Sequence, residues 1–238
     1  MELQGKQVVI IGGSSGIGLA TAKKALAEGA NVLIVGRTEV RLDTAQKALK
    51  SRQLTTAVAD ISDPDSVRAL FAKCEIIDHL FVPAGELTPD GGDVLSSDPA
   101  KLENVIMTRL LGVSHVVREA RAKMTGGSVT LMSGLYAIRP GKGGAMGAAA
   151  VAGVEGMTRA LALDLAPVRV NAVSPGIIDT PLWDSFGPNR QAIIDIGRSL
   201  PVGRVGHPDE IAAGVLFLMK NDFTTGTVLR IDGGGALV

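Results

Sequence analysis

Short apolar runs alternate along this chain with longer segments whose apolar residues recur at helical spacing. This alternation is typical of βαβ units, in which each helix brings the next strand back parallel to the last. We therefore predict an α/β fold with a doubly wound parallel sheet of about seven strands and helices on both faces. The predicted strands are Gln7 to Ile11, Asn31 to Val35, Thr55 to Ala59, His79 to Val82, Ser128 to Met132, Arg169 to Val173 and Val228 to Ile231.

The segments between these strands are predicted to be helices. Three of them begin with a capping residue followed by proline, at Asp63-Pro64, Asp98-Pro99 and His207-Pro208, as is common at helix starts. No linker or repeat divides the chain, so we predict one domain over residues 1–238. The predicted helices lie near Ile17 to Glu28, Glu39 to Leu49, Pro64 to Ala72, Pro99 to Lys123, Gly144 to Ala166 and Pro208 to Lys220.

The amino-acid composition limits which binding partners and which cellular compartment are expected. Lys and Arg number 24, as do Asp and Glu, and aromatic residues make up 3%, so nucleic acid is not an expected partner. Cys74 is the only cysteine, which excludes an intrachain disulfide and suits a reducing compartment. No uncharged run approaches the ~18 residues of a membrane span, so we expect a cytoplasmic protein with no membrane partner. The three histidines do not cluster, and no metal site is expected.

The first predicted strand leads directly into the turn Gly12-Gly13-Ser14-Ser15-Gly16-Ile17-Gly18, which opens a helix. Glycines let backbone amides approach a pyrophosphate, and the helix dipole favours its negative charge. The alternative is a turn that merely needs positive φ. Because the turn follows a strand inside a βαβ unit, we predict a single-domain Rossmann fold that binds a nicotinamide dinucleotide.

The end of the second strand indicates which dinucleotide is bound. An NAD-selective site places an acid there for the ribose 2′-hydroxyl, whereas this chain has Gly36-Arg37-Thr38. The Arg37 guanidinium can pair with a 2′-phosphate, so we predict NADP(H); a solvent-facing Arg37 is the alternative. Asp60, after the third strand, either accepts from the adenine amino group or caps a helix.

These motifs and three others, in order and spacing, resemble the short-chain dehydrogenase/reductase family over essentially the whole chain. The others are Val82-Pro83-Ala84-Gly85, Asn171-Ala172-Val173-Ser174-Pro175-Gly176 followed by Thr180-Pro181, and Ile231-Asp232-Gly233-Gly234. The resemblance implies that Ala84 and Gly85 line the adenosine ribose. It also implies that the nicotinamide end is held by Pro175, Gly176, Ile177 and Thr180.

Two further expectations concern the substrate and the assembly. The irregular stretch Thr180 to Pro201 is predicted to be a substrate lid. The Gly- and Ala-rich segment Gly143 to Gly156 allows another backbone to approach closely. In the family this helix forms the dimer interface, so the resemblance implies a homodimer or homotetramer; core packing is the alternative.

The chemistry of the resembled family depends on side chains that are largely missing here. Ser133 occupies the position of the serine that polarises the substrate carbonyl. The tyrosine belongs thirteen residues later, at Met146, and the lysine four further on, at Ala150. The helix asparagine belongs three residues before Gly112, at Arg109. A thioether has no proton to transfer, so the usual relay cannot operate from these positions.

Tyr136 is the only tyrosine of the chain and lies three residues after Ser133. It is a candidate relocated proton donor, with Arg109, Arg139 or Lys142 as a cationic neighbour; the alternative is that its ring packs under the lid. We predict an NADP(H)-dependent oxidoreductase acting on a small carbonyl or alcohol, with a non-standard proton donor. Two alternatives remain open, a catalytically degenerate dinucleotide-binding scaffold or sensor, and a non-redox dehydratase or isomerase that reuses the pocket.

Overall fold

The computed structural model describes residues 3–83, 85 and 92–238. Its centre is a seven-stranded parallel sheet in the order β3-β2-β1-β4-β5-β6-β7, which confirms the predicted fold. The chain adds strands to one side of β1 and then crosses to the other side at β4. The strands are β1 Gln7–Ile11, β2 Asn31–Gly36, β3 Leu54–Val58, β4 His79–Val82, β5 Ser128–Met132, β6 Arg169–Pro175 and β7 Val228–Ile231.

The sheet has a hydrophobic core on each face. Successive side chains of a strand point to opposite faces, and β1 shows this directly. Val9 and Ile11 belong to one core, and Val8 and Ile10 belong to the other. Both faces are therefore buried, which explains why the strands are apolar nearly throughout.

Helices cover both cores, and two of the predicted proline starts have the expected side-chain caps. Asp63 accepts a hydrogen bond from the amide of Asp65, and Asp98 accepts one from the amide of Ala100. The helices are α1 Gly16–Ala27, α2 Glu39–Leu49, α3 Pro64–Ala72, α4 Pro99–Ile106, α5 Gly112–Arg121, α6 Ala145–Asp164, α7 Arg190–Ile196 and α8 Pro208–Lys220.

The single helix predicted over Pro99 to Lys123 is wrong in one respect, because a π-helical turn at Met107–Leu111 separates α4 from α5. Such turns insert an extra residue into a helix and are frequent at functional sites. Here the turn contains Arg109, one of the predicted site residues.

The predicted lid is an excursion of short helices whose two ends are joined. It comprises 3₁₀ turns at Pro181–Asn189 and Gly197–Ser199, with α7 between them. At its base, Gly206 donates to the Ile177 carbonyl and accepts from the amide of Asp179, both at 2.9 Å. The lid therefore leaves and rejoins the domain at one place.

No helix in the described ranges is both long and apolar enough to cross a bilayer.

Candidate functional site

The predicted site residues follow the carboxyl ends of neighbouring parallel strands, and so they meet along one edge of the sheet. β1 and β4 are adjacent there, although β2 and β3 lie between them in the chain. Open α/β sheets bind ligands in the crevice at such a switch point. The turn after β1 and Gly85 after β4 flank this crevice.

The turn after β1 has the backbone geometry that a pyrophosphate site requires. Gly12 and Gly16 have φ values of +94° and +50°, which glycine adopts without strain. The amides of Gly12 and Gly13 donate to the Val35 carbonyl at 2.7 and 3.2 Å, which fixes the turn against β2. A β-carbon at Gly18 would collide with the Gly12 carbonyl oxygen, so only glycine fits there.

The turn ends in α1, whose N-terminus presents unpaired backbone donors. The first four amides of an α-helix have no carbonyl one turn earlier, and here Gly16, Ile17 and Gly18 supply three of them. Ser15 precedes the helix in an extended conformation. Together with the positive end of the helix dipole, these amides form a site suited to an anion.

The loop after β6 closes on this turn. A β-carbon at Gly16 would lie 3.3 Å from Thr180 Cγ2, and Thr180 is buried. Pro175 is the last residue of β6, and the Gly176 amide donates to the Ile231 carbonyl at 3.1 Å. The structure therefore brings together the residues predicted for the pyrophosphate and for the nicotinamide.

Arg37 and Asp60 lie at the other end of this row, after β2 and β3. Arg37 is exposed. Asp60 accepts from the amide and the hydroxyl of Ser62 at 2.9 and 2.6 Å. Burial raises the pKa of Asp60, but these hydrogen bonds and the nearby Arg37 charge outweigh it, and the pKa lies below its ordinary value. Because Asp63 caps α3, the capping alternative for Asp60 is wrong, while an adenine contact stays a prediction.

Arg109 is packed against Gly85 at the switch point. A β-carbon at Gly85 would lie 2.8 Å from Arg109 Cγ. Arg109 is 8% exposed, and burial lowers the pKa of its guanidinium to about 10. A buried cation thus lies beside the crevice. Ala84, predicted with Gly85 to line the ribose, is outside the described residues.

The Ser133 hydroxyl points to α6. It donates to Glu155 Oε1 at 2.9 Å and to the Val151 carbonyl at 3.2 Å, and the residue is 4% exposed. To polarise a substrate carbonyl, Ser133 would have to exchange these bonds for one to the substrate. Sequence reasoning missed Glu155, although it is the only charged residue in the small-residue segment from Ala145 to Met157.

Tyr136 lies in a 3₁₀ turn, Leu135–Ala137, and is 43% exposed. Its ring faces the glycine loop before α6, because a β-carbon at Gly144 would lie 2.6 Å from Tyr136 Cε2. Arg139 donates to the Gly235 carbonyl at 2.7 Å, and Lys142 is exposed. The phenol is accessible to solvent and has a helix N-terminus beside it.

The positions predicted to replace the family's tyrosine and lysine are packed. The Met146 amide donates to the Gly92 carbonyl at 3.2 Å, and a β-carbon at Gly92 would lie 3.0 Å from Met146 Cβ. Ala150 is buried. Gly92 therefore packs against the first turn of α6.

Comparisons with known proteins agree with the fold. A family model described as enoyl-(acyl carrier protein) reductase matches residues 12–235. The short-chain dehydrogenase/reductase malC of Malbranchea aurantiaca is 32% identical over 250 residues, covering 98% of this chain and 95% of that protein. The 3-oxoacyl-[acyl-carrier-protein] reductase FabG of Chlamydia trachomatis is 34% identical over 248 residues, with 98% of each covered.

The structural comparison extends over the same length. A solved small-chain dehydrogenase in complex with NADPH superposes with a TM-score of 0.82 at 32% identity, covering 99% of this chain and 100% of that chain. Similarity in sequence and in fold thus spans nearly the entire protein. This chain belongs to the short-chain dehydrogenase/reductase family.

Proposed function

We propose that this protein is an NADP(H)-dependent oxidoreductase that acts on a small carbonyl or alcohol substrate. The observation that carries the proposal is the close approach of Thr180 to Gly16, where a β-carbon would lie 3.3 Å from Thr180 Cγ2. It joins the turn suited to a pyrophosphate with the loop assigned to the nicotinamide. An extended dinucleotide can then run along the sheet edge from Arg37 past Gly16 to Thr180.

The choice of NADP(H) over NAD(H) is supported by the end of β2. Gly36-Arg37-Thr38 stands where an acid would select a free 2′-hydroxyl. The charge of Arg37 acts on Asp60 after the next strand, so the guanidinium is near the expected adenosine end. A guanidinium pairs with a phosphate through two parallel hydrogen bonds. One solved relative is a complex with NADPH.

We infer that the protein is an atypical family member whose proton donor is not the family's tyrosine. Met146 and Ala150 can neither give nor hold a proton. Tyr136 is the proposed donor, with Ser133 as the proposed carbonyl ligand and Arg109 as the proposed source of positive charge. Holding hydride donor and acceptor in position can itself supply much of the acceleration.

A second candidate, a dinucleotide-binding scaffold or sensor without turnover, is favoured by two contacts. The Ser133 hydroxyl already donates a hydrogen bond to Glu155, and Gly92 packs against Met146. The first contact occupies the Ser133 hydroxyl, and the second packs backbone against a side chain that has no proton to give. This candidate shares the cofactor site with the first and differs in the absence of product.

The two candidates are separated by NADPH oxidation across a panel of small aldehydes and ketones. If the protein is an oxidoreductase, we expect turnover with at least one of these substrates. Tyr136→Phe should then lower kcat by about 10²- to 10⁴-fold, the usual loss when a positioned acid is removed. The Kd for NADPH, measured in parallel, stays unchanged. Turnover that survives Tyr136→Phe would show that the relocated donor is wrong. Binding with no turnover on the panel would favour the scaffold.

A further inference from the structure

We propose that Arg190 is a positioning residue for the nicotinamide end of the dinucleotide, and that it acts through Asp179 on Thr180. The inference rests on the proposed cofactor site and adds to it a residue of the lid. Arg190 is the first residue of α7. It therefore belongs to the excursion that leaves the domain after Thr180.

The guanidinium of Arg190 joins two carboxylates through two different nitrogens. Its Nη2 lies 2.6 Å from Asp179 Oδ1, and its Nε lies 3.0 Å from Asp184 Oδ1. The side chains of Arg190 and Asp179 are 37% and 36% exposed, so solvent screens this pair only in part. The contact with Asp179 thus connects Arg190 to the base of the lid, whereas the contact with Asp184 lies within the lid.

The Asp179 carboxylate that Arg190 contacts belongs to the segment assigned to the nicotinamide. The amide of Asp179 donates to the Gly206 carbonyl. The indole nitrogen of Trp183 donates to the Ile178 carbonyl at 2.6 Å, and the Trp183 amide donates to the Thr180 carbonyl at 3.2 Å. Because Asp179 directly precedes Thr180, its contact with Arg190 restrains the backbone that carries Thr180.

Charge gives a second reason for Arg190 to matter. Asp179 and Asp184 both contact the same guanidinium. Without it, two carboxylates would share one place with no counter-charge, and one of them belongs to the residue before Thr180. Like charges placed together near a ligand of the same sign weaken its binding. Arg190 therefore both links the lid to the loop before Thr180 and neutralises these two carboxylates.

The lid contains a matched control. Arg198 forms a 3.5 Å salt bridge with Asp195, also inside the lid, and its side chain is 83% exposed. Loss of Arg198 removes the same charge from the same segment without touching the loop before Thr180. The chain also has a single tryptophan, Trp183, whose emission reports the lid directly.

The experiment measures NADPH binding to the full-length protein by quenching of Trp183 and, in parallel, by calorimetry. We expect Arg190→Met to raise the Kd about 2- to 5-fold, which is the range that an ion pair at the surface contributes. Arg198→Met leaves the Kd unchanged. Arg190→Lys, which keeps the charge, recovers part of the loss, and Asp179→Asn added to Arg190→Met recovers part of it by removing the repulsion.

The possible failures are distinguishable. If wild type binds NADPH and Arg190→Met binds it as tightly as Arg198→Met does, the role of Arg190 is wrong and the cofactor site stands. If wild type itself does not bind, the proposed function fails, and this inference fails with it. Thermal melts of each variant show whether a change in Kd reflects loss of folding, and Arg190→Lys supplies the comparison if Arg190→Met does not fold.

Discussion

The side chain of Arg37 is the one on which the proposed preference for NADP(H) over NAD(H) depends. Its guanidinium is exposed after β2 and is near enough to Asp60 to lower the pKa of that carboxyl group. A hydrogen bond to a charged group is worth about 1.5–3 kcal/mol, and a 2′-phosphate would be such a partner. NADH offers Arg37 only a hydroxyl.

We therefore predict that Arg37→Ala weakens NADPH binding about 10- to 100-fold and leaves NADH binding nearly unchanged. The measurement is a pair of Kd values for each cofactor. Arg118→Ala serves as the control, because Arg118 is an exposed arginine on α5 paired with its neighbour Glu119. Equal losses for both cofactors would contradict the assignment of Arg37 to the 2′-phosphate.

His79 is a buried residue that couples folding to pH. Its Nδ1 lies 2.9 Å from Ser128 Oγ inside the core, and burial lowers its pKa to about 4. An unfolded histidine titrates near 6.5. Between these values the unfolded chain binds a proton that the folded chain refuses, so the stability is complete above the unfolded pKa and is lost as the pH falls.

The predicted loss in the free energy of unfolding is of the order of 3 kcal/mol between pH 6.5 and 4. His79→Asn keeps a polar atom near the Ser128 hydroxyl and does not titrate, so its stability falls less steeply over this range. Urea unfolding at several pH values measures the slopes. His207→Asn, at an exposed position outside the core, is the control. A wild-type slope retained in His79→Asn would contradict the role of His79.

At the scale of elements, the turn between β1 and α1 sets the site. Alanine is the better helix former, so helix propensity alone would favour Gly18→Ala. The collision of a β-carbon at position 18 with the Gly12 carbonyl oxygen outweighs this preference, because it would displace the turn. We predict that Gly18→Ala has a Kd for NADPH weaker than about 1 mM.

Gly126→Ala is the matched control for this element, because nothing lies within 4 Å of the added β-carbon. Circular dichroism and thermal melts establish that both variants fold. If folded Gly18→Ala binds NADPH like wild type, the amides of this turn do not hold the pyrophosphate.

The elements also show what sequence patterns can predict. Strands buried on both faces are continuous apolar runs, and four of the seven predicted ranges agree with the structure at both ends, namely β1, β4, β5 and β7. The π-helical turn escaped prediction because it depends on tertiary packing, with Gly112 pressed against Ile61. Residue types identify Ser133, but only coordinates show its hydroxyl turned to Glu155.

At the scale of the whole molecule, the parallel sheet places its seven strand ends along one edge, and the candidate site residues follow six of them. The outer surface of the molecule indicates where a second copy of the chain could pack. The exposed small residues of α6 recur on one face, at Ala149, Ala152 and Gly156. A homodimer or homotetramer formed through this face stays a prediction, which sedimentation equilibrium would test.

The central claim is that backbone amides after β1 hold the pyrophosphate of NADP(H). Calorimetric titration of the purified protein with NADPH and with NADH tests it most directly. We predict a single site per chain with a micromolar Kd for NADPH and a Kd at least about tenfold weaker for NADH. No heat and no protection against thermal unfolding with either cofactor would contradict the claim.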